Sequence, residues 1–373
     1  MRRRVFVGGV AAAWGVAVSA AREPGALVLG QSAALSGPAA ALGQQFKQGA
    51  ELFFERWNAA GGHNGRSITL RSLDDGLDPQ RCVANTRRLL DEGVLALFGY
   101  VGSATSRAAL PLATAAQRVF FAPFTGSEAL RIPFNPLAFH LRASYVDETR
   151  AIVRHLTSVG IKRIGVFCQN DADGKAGLLG VARALKLQYQ APAGLGFAEP
   201  NAGDVAAPVQ AVLAGRPDAI VQISTYRGSA AFIRAARRAG FSGTFYNTSF
   251  ANAQALAREL GAAAQGVVVS QVMPFPFAPK TRLAGEYLAA GRAALGERFE
   301  PGYVGIEGYV AAKTFAEGLR RATAIGTPAL VAGLQTLREL DLGDFRIDLA
   351  PGRHAGSRFI DLTMLTAEGK VRY

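Results

Sequence analysis

Six residues in one stretch have the types and spacing to hold a small anion. They are Ser103, Ala104 and Thr105 in one turn and Phe124, Thr125 and Gly126 in the next. Hydroxyls and free backbone N–H groups at a helix start offer donors and a partial positive charge, which suits a carboxylate or a phosphate. The turns follow two short apolar runs, 95–98 and 119–122, that read as buried strands. Side by side and parallel, those strands would bring both turns to the carboxyl edge of a sheet, where open α/β sheets hold ligands. Ordinary strand-to-helix turns without a ligand would read the same way.

Other reactive side chains give less. Asp74-Asp75 closes a strand at 68–73; paired acids suit metal or acid–base work, but they equally suit a strand-end loop that caps the next helix. Asp147 reads as a helix N-cap, a cleft acid, or both. Cys82 and Cys168 fall in different lobes and are expected as free buried thiols. His63, His140, His155 and His354 are scattered and read as surface or structural groups, so no metal site and no cofactor are expected. A secreted α/β hydrolase or amidase is the enzyme alternative, but the Gly-x-Ser-x-Gly elbow it would need is missing.

The 373 residues are long enough for two domains, and 49% apolar content supports a large core. Residues 1–21 read as a signal peptide: Arg2-Arg3-Arg4, an apolar run, then small residues at Val18-Ser19-Ala20. The mature chain is expected to be exported, soluble, periplasmic and monomeric. Its formal charge of +13 could suggest nucleic acid. The arginines, however, are spread singly along helix faces, with no basic–aromatic interleaving, so no nucleic-acid partner is expected.

Strand and helix patterns alternate along the whole chain. A strand at 26–30 leads through a loop at 31–38 to a helix whose Phe46, Ala50, Phe53, Phe54 and Trp57 share a face. A helix at 79–92 leads into the central stretch. An extended crossing at 139–143 precedes Tyr145 and a helix from Asp147 to about 159. A second α/β series follows, with strands at 164–168, 219–223, 244–247 and 267–270. Asp173, Tyr226 and Ser249 sit just after three of these strand ends. The Pro-rich 273–279 reads as a second crossing, followed by helices at 282–295, 303–322 and 328–340. The end, 346–373, is β-like. The reading is α/β: two Rossmann-like, doubly wound parallel-sheet lobes joined by three hinge crossings. The first lobe takes 25–142 with 274–345, the second 143–273 with 346–373.

Ala34-Leu35-Ser36-Gly37-Pro38, Asn58-Ala59-Ala60-Gly61-Gly62, Phe98-Gly99 with Ser103 and Thr105, Phe121-Ala122-Pro123 and Glu307-Gly308-Tyr309 occur in an order that resembles the periplasmic solute-binding proteins of the leucine/isoleucine/valine-binding type. The resemblance implies an ABC-importer receptor that holds an amino acid or related small carboxylate between its lobes and delivers it to an inner-membrane ABC permease. A ligand sensor acting through a protein partner would use the same cleft. The resemblance places the ligand carboxylate on Ser103, Thr105, Phe124 and Gly126, and aromatics at Tyr226 and Tyr309. The glutamate that meets the ligand ammonium in the branched-chain binders is here Ser249, and a cleft tyrosine is here Asp173. Asp173, Asp147 or Glu307 would then have to supply the countercharge.

Overall fold

The structure, a computed structural model, describes residues 25–200 and 202–372; the expected signal peptide lies outside them. The first sheet is built from β1 (Leu27–Ala33), β2 (Ile68–Asp74), β3 (Ala96–Phe98), β4 (Val119–Phe121) and β5 (Ala138–Phe139), all parallel, in the order β2-β1-β3-β4-β5. Its connecting helices are α1 (Ala40–Ala59), α2 (Pro79–Asp91) and α3 (Ser103–Ala115). β1 runs past Gly30, where the sequence pattern stopped it. Its polar Gln31 and Ser32 are satisfied inside, by Gly99 O at 3.0 Å and by Asp75 Oδ2 at 2.7 Å, so pairing with β2 continues to Ala33–Asp74.

Next come α4 (Tyr145–Ser158), β6 (Ile164–Gln169), α5 (Ala172–Lys186), β7 (Gly194–Ala198), α6 (Ala206–Ala214), β8 (Ala219–Ile223), α7 (Tyr226–Arg238), β9 (Thr244–Asn247), α8 (Ala253–Leu260) and β10 (Val268–Gln271). Periodicity had not marked β7, α6 or α8. β7 is a Gly-containing edge strand with weak alternation, and α6 and α8 are short. After β10 the chain forms α9 (Arg282–Leu295), α10 (Tyr303–Arg321) and α11 (Thr327–Gln335). α10 packs along α1, on the first sheet's side of the molecule. A small ribbon, β11 (Leu340–Asp341) with β12 (Arg346–Ile347), precedes β13 (Asp361–Leu365) and β14 (Val371–Arg372).

The second sheet has the order β14-β13-β10-β9-β8-β6-β7. It is parallel from β7 to β10, and β13 and β14 add an antiparallel edge. The alternation at 359–364 therefore does make a strand, returning to the second sheet after three helices on the first.

Each sheet is buried on both faces, as βαβ units require. Phe46, Phe54, Phe98 and Phe121 fill the space between the first sheet and α1, while Ile152, Val166, Val181 and Val221 fill that between α4, α5 and the second sheet. Cys82 and Cys168 are buried, free thiols in the two separate units, and burial raises both their pKa values, that of Cys82 to about 12. Among the described residues no helix is long and apolar enough to cross a membrane.

Candidate functional site

The two turns singled out in the sequence do meet. Gly102 turns the chain with φ +92°, a conformation that suits glycine, and a Cβ there would come within 2.6 Å of Leu77. α3 starts at the next residue, Ser103. No hydroxyl caps this helix: the N-cap is Gly102, and the Ser103 side chain bonds elsewhere. Ser103 Oγ lies 2.5 Å from Thr125 Oγ1, which also accepts from Ser127 N–H at 3.1 Å. Thr105 lines the adjoining cavity, but its hydroxyl donates back to Val101 O and Gly102 O.

The partner of this pair comes from the other sheet's side. Asp171 caps α5 by accepting from Gly174 N–H at 2.9 Å, which sets Asp173 in the first helical turn. The Asp173 carboxylate accepts from Ser103 N–H at 3.3 Å, from Ser103 Oγ–H, and from the Tyr145 hydroxyl at 3.0 Å. Three donors thus converge on one buried carboxylate. Burial pushes its pKa up to about 6, with Asp171 nearby adding to the effect and the hydrogen bonds opposing it.

Gly126 serves this arrangement as a backing residue. Its carbonyl accepts from Tyr145 N–H at 2.8 Å, and a Cβ would fall 2.6 Å from that nitrogen. Tyr145 is fixed from below by a capping box on α4: Ser144 accepts from Asp147 N–H at 3.1 Å and Asp147 accepts from Ser144 N–H at 3.3 Å. The N-cap is therefore Ser144. Asp147 stands three residues inside the helix, paired outward with Arg150 at 3.2 Å, so it is neither N-cap nor cleft acid.

A second buried polar cluster lies next to the first. Arg142, 1% exposed at the crossing after β5, lies over the Phe124 ring at 4.4 Å. It sits 3.7 Å from Glu148 of α4 and 3.5 Å from Glu307 of α10, and donates to Ser249 Oγ. Glu148 in turn accepts from Ser249 N–H at 2.8 Å and from Ser270 Oγ at 2.6 Å. Burial works against the Arg142 charge, but Glu307 and Glu148 outweigh it and raise its pKa. Burial raises the pKa of Glu307 to about 7 against the pull of Arg142.

Ser249 thus rests on a buried carboxylate, that of Glu148, which also faces Arg142. Sequence reasoning passed over Arg142, Glu148 and Ser270. The available signal was a lone arginine in the apolar crossing 137–143, because a buried arginine requires acids to pair with.

Not every expected residue reaches the cleft. A cavity of about 270 Å³ is lined by Ser103, Ala104, Thr105, Gln169, Asp171, Asp173 and Thr225, among others. Thr225, not Tyr226, reaches it; Tyr226 begins α7 half-buried, with Arg227 5.8 Å from its ring centre. Tyr309 is a correction. Its ring packs edge-on against Phe53 at 5.3 Å and Tyr287 at 5.7 Å, in the seam of α1, α9 and α10, because the apolar stripe of α1 needs a partner there.

Asp74, the last residue of β2, and Asp75, just after it, tie the neighbouring loops together. Asp74 accepts from Leu35 N–H, Ser36 and Arg81; these bonds outweigh its burial and hold its pKa well below the usual range. The cap of α2 is Asp78. His140 and His354 are structural: the His354 ring stacks on Phe139 at 3.8 Å, and His140 Nε2 meets Leu130 O at 3.1 Å.

The sequence profile of a family described as "Periplasmic binding protein" matches residues 27–370. The fold is close to that of a possible leucine/isoleucine/valine-binding protein from Rhodopirellula baltica. The two share a TM-score of 0.89 and 32% identity, over 94% of this chain and 97% of that one. Among curated relatives, an amino acid binding protein of Pseudomonas aeruginosa is 29% identical over 162 residues, 42% of each chain. The Leu/Ile/Val-binding protein homolog 2 of Brucella abortus is 36% identical over 80 residues, 21% of this chain and 22% of its own length. The matched stretches thus span less than half the length of these curated relatives.

Proposed function

This chain belongs to the periplasmic binding protein family, and we propose that it is an exported receptor that captures an amino acid or related small carboxylate between two lobes. On this reading the ligand is handed to an ABC permease of the inner membrane. The lobes are 25–142 with 274–345, and 143–273 with 346–373, and they close on the ligand by hinge motion at the crossings. The family and fold are those of binding proteins, and no bond is made or broken.

One observation carries the reading. Ser103 N–H, Ser103 Oγ and the Tyr145 hydroxyl, from opposite sides of the cleft, all donate to a single carboxylate, that of Asp173. Donors so arranged recognise a carboxylate when the lobes are together. Glu307 or Asp173 would take the ligand ammonium.

Calorimetric titration of the purified chain with amino and non-amino carboxylates tests this. At least one amino acid is expected to give saturable heat. Ser103→Ala should weaken it about tenfold, or about 1.4 kcal/mol, a reasonable loss for one polar contact. The reading falls if no small molecule binds, or if the variant binds unchanged.

A further inference from the structure

The donors that would receive a ligand carboxylate are already occupied. Asp173 holds both polar groups of Ser103 and the Tyr145 hydroxyl, while Thr125 is tied to Ser103. Its carboxyl group is a side chain of the opposite lobe's first helical turn, so it enters the cradle when the lobes come together. A second ionised carboxylate could share these donors only against direct like-charge repulsion.

The surroundings sharpen this. The titratable groups facing Asp173 are Asp171 on its own turn and Tyr145 on α4; Ser103 and Thr125 from the first sheet are neutral. Arg142 feels Asp173, but it is already flanked by Glu148 and Glu307. Arg131 is a second cation that acts on Glu307, so neither guanidinium is free to neutralise Asp173, in a protein whose overall formal charge is +13. Immediately around Asp173, however, the excess is negative, because its nearest charged neighbour is Asp171. A plain organic anion adds to that excess, whereas a zwitterion does not.

We propose that Asp173 is a built-in occupant of the carboxylate cradle and the residue that sets ligand class: a ligand carboxylate enters only in exchange for Asp173, and only when the ligand carries an ammonium or equivalent cation to receive the displaced side chain. This rests on the reading of the cleft as a small-carboxylate site and adds to it a selection against acids that lack a positive group. At pH 8 Asp173 is ionised, since its raised pKa of about 6 still lies below that, so the exchange is forced there.

Glycine and acetate make the minimal probe pair, because they differ by the ammonium group. Each is titrated at pH 8 into the full chain and into Asp173→Ala, with melting temperature as the readout. The wild-type protein is expected to respond to glycine at a concentration at least tenfold lower than to acetate. Asp173→Ala, which empties the cradle, is expected to respond to acetate as readily as to glycine, and Ser103→Ala added to it removes the acetate response. If Asp173→Ala does not fold, Asp173→Asn replaces it; a neutral amide yields to acetate more easily, and the glycine preference shrinks in the same direction.

The inference is overturned if wild type takes acetate as readily as glycine, if the preference survives in the variant, or if neither probe affects either protein. Those failures are separable from failure of the receptor reading, which is decided in the wider panel by whether any small molecule binds and whether Ser103→Ala weakens it.

Discussion

Two buried polar contacts lie side by side in this protein, and they are built on opposite principles. Asp173 is an anion held by neutral donors, Ser103 and Tyr145, with no ion-pair partner among the described residues. Arg142 is a cation held between two carboxylates, Glu307 and Glu148, the latter also accepting from Ser249 and Ser270. The first contact can be exchanged for a chemically equal one, because any carboxylate would satisfy the same donors. The second cannot: removing one partner strands a buried charge. Arg142 also stands at a crossing between the two sheets and lies on Phe124, the residue before Thr125 of the cradle. On the proposal above, Arg142 holds the two sheets' elements together while Asp173 fills the place of a ligand.

The sharpest way to break this comparison is Arg142→Met. It leaves Glu148 and Glu307 facing each other, and a loss of about 3–5 kcal/mol in urea unfolding at pH 8 is expected. A loss below about 1 kcal/mol would make the two contacts equivalent. Next in size is the pH dependence of stability. Burial raises the pKa of Asp173 to about 6 and of Glu307 to about 7, above the values of an unfolded chain near 4. The folded state therefore binds these protons more tightly than the unfolded one. Stability is highest below about pH 4 and falls as pH rises from there to about 6 for Asp173 and about 7 for Glu307, by roughly 3–4 kcal/mol per carboxyl at most. Denaturant midpoints between pH 5 and pH 8 check the slope, and Asp173→Asn should remove its share. The smallest effect belongs to the support beneath Tyr145. Ser144→Ala breaks the α4 capping box and should cost about 1 kcal/mol, with a weaker effect on ligand affinity than Ser103→Ala in the same titration.

Much of the scaffold was legible in the amino-acid order. Short apolar runs, the first bounded by glycine, marked β3 and β4, and the spacing of Phe46, Ala50 and Phe54 marked the inner face of α1. These are local signals of burial, and burial on two faces of a parallel sheet leaves a continuous apolar trace. The elements that escaped were short or at the edge, as with β7 and α8, where a few residues carry too little pattern.

The site was legible only in halves. Ser103 and Thr125 could be paired because their strands are neighbours in sequence and in the sheet. Tyr309 was misplaced because an aromatic on a buried helix packs well against either a cleft or another helix, and spacing does not distinguish the two. Asp171 and Asp173 read alike as acids in a polar turn; folding makes one a helix cap and carries the other across the cleft to Ser103.

The order of residues was enough to establish two α/β units, a hydroxyl-rich turn at a helix start and free buried cysteines, since each follows from periodicity, composition or a local backbone preference. It could not establish that Asp173 meets Ser103, 70 positions away, or that Glu148 and Glu307 converge on Arg142. Those contacts depend on how the two sheets are set against each other, and that is decided by the summed packing of both cores rather than by any short stretch of chain.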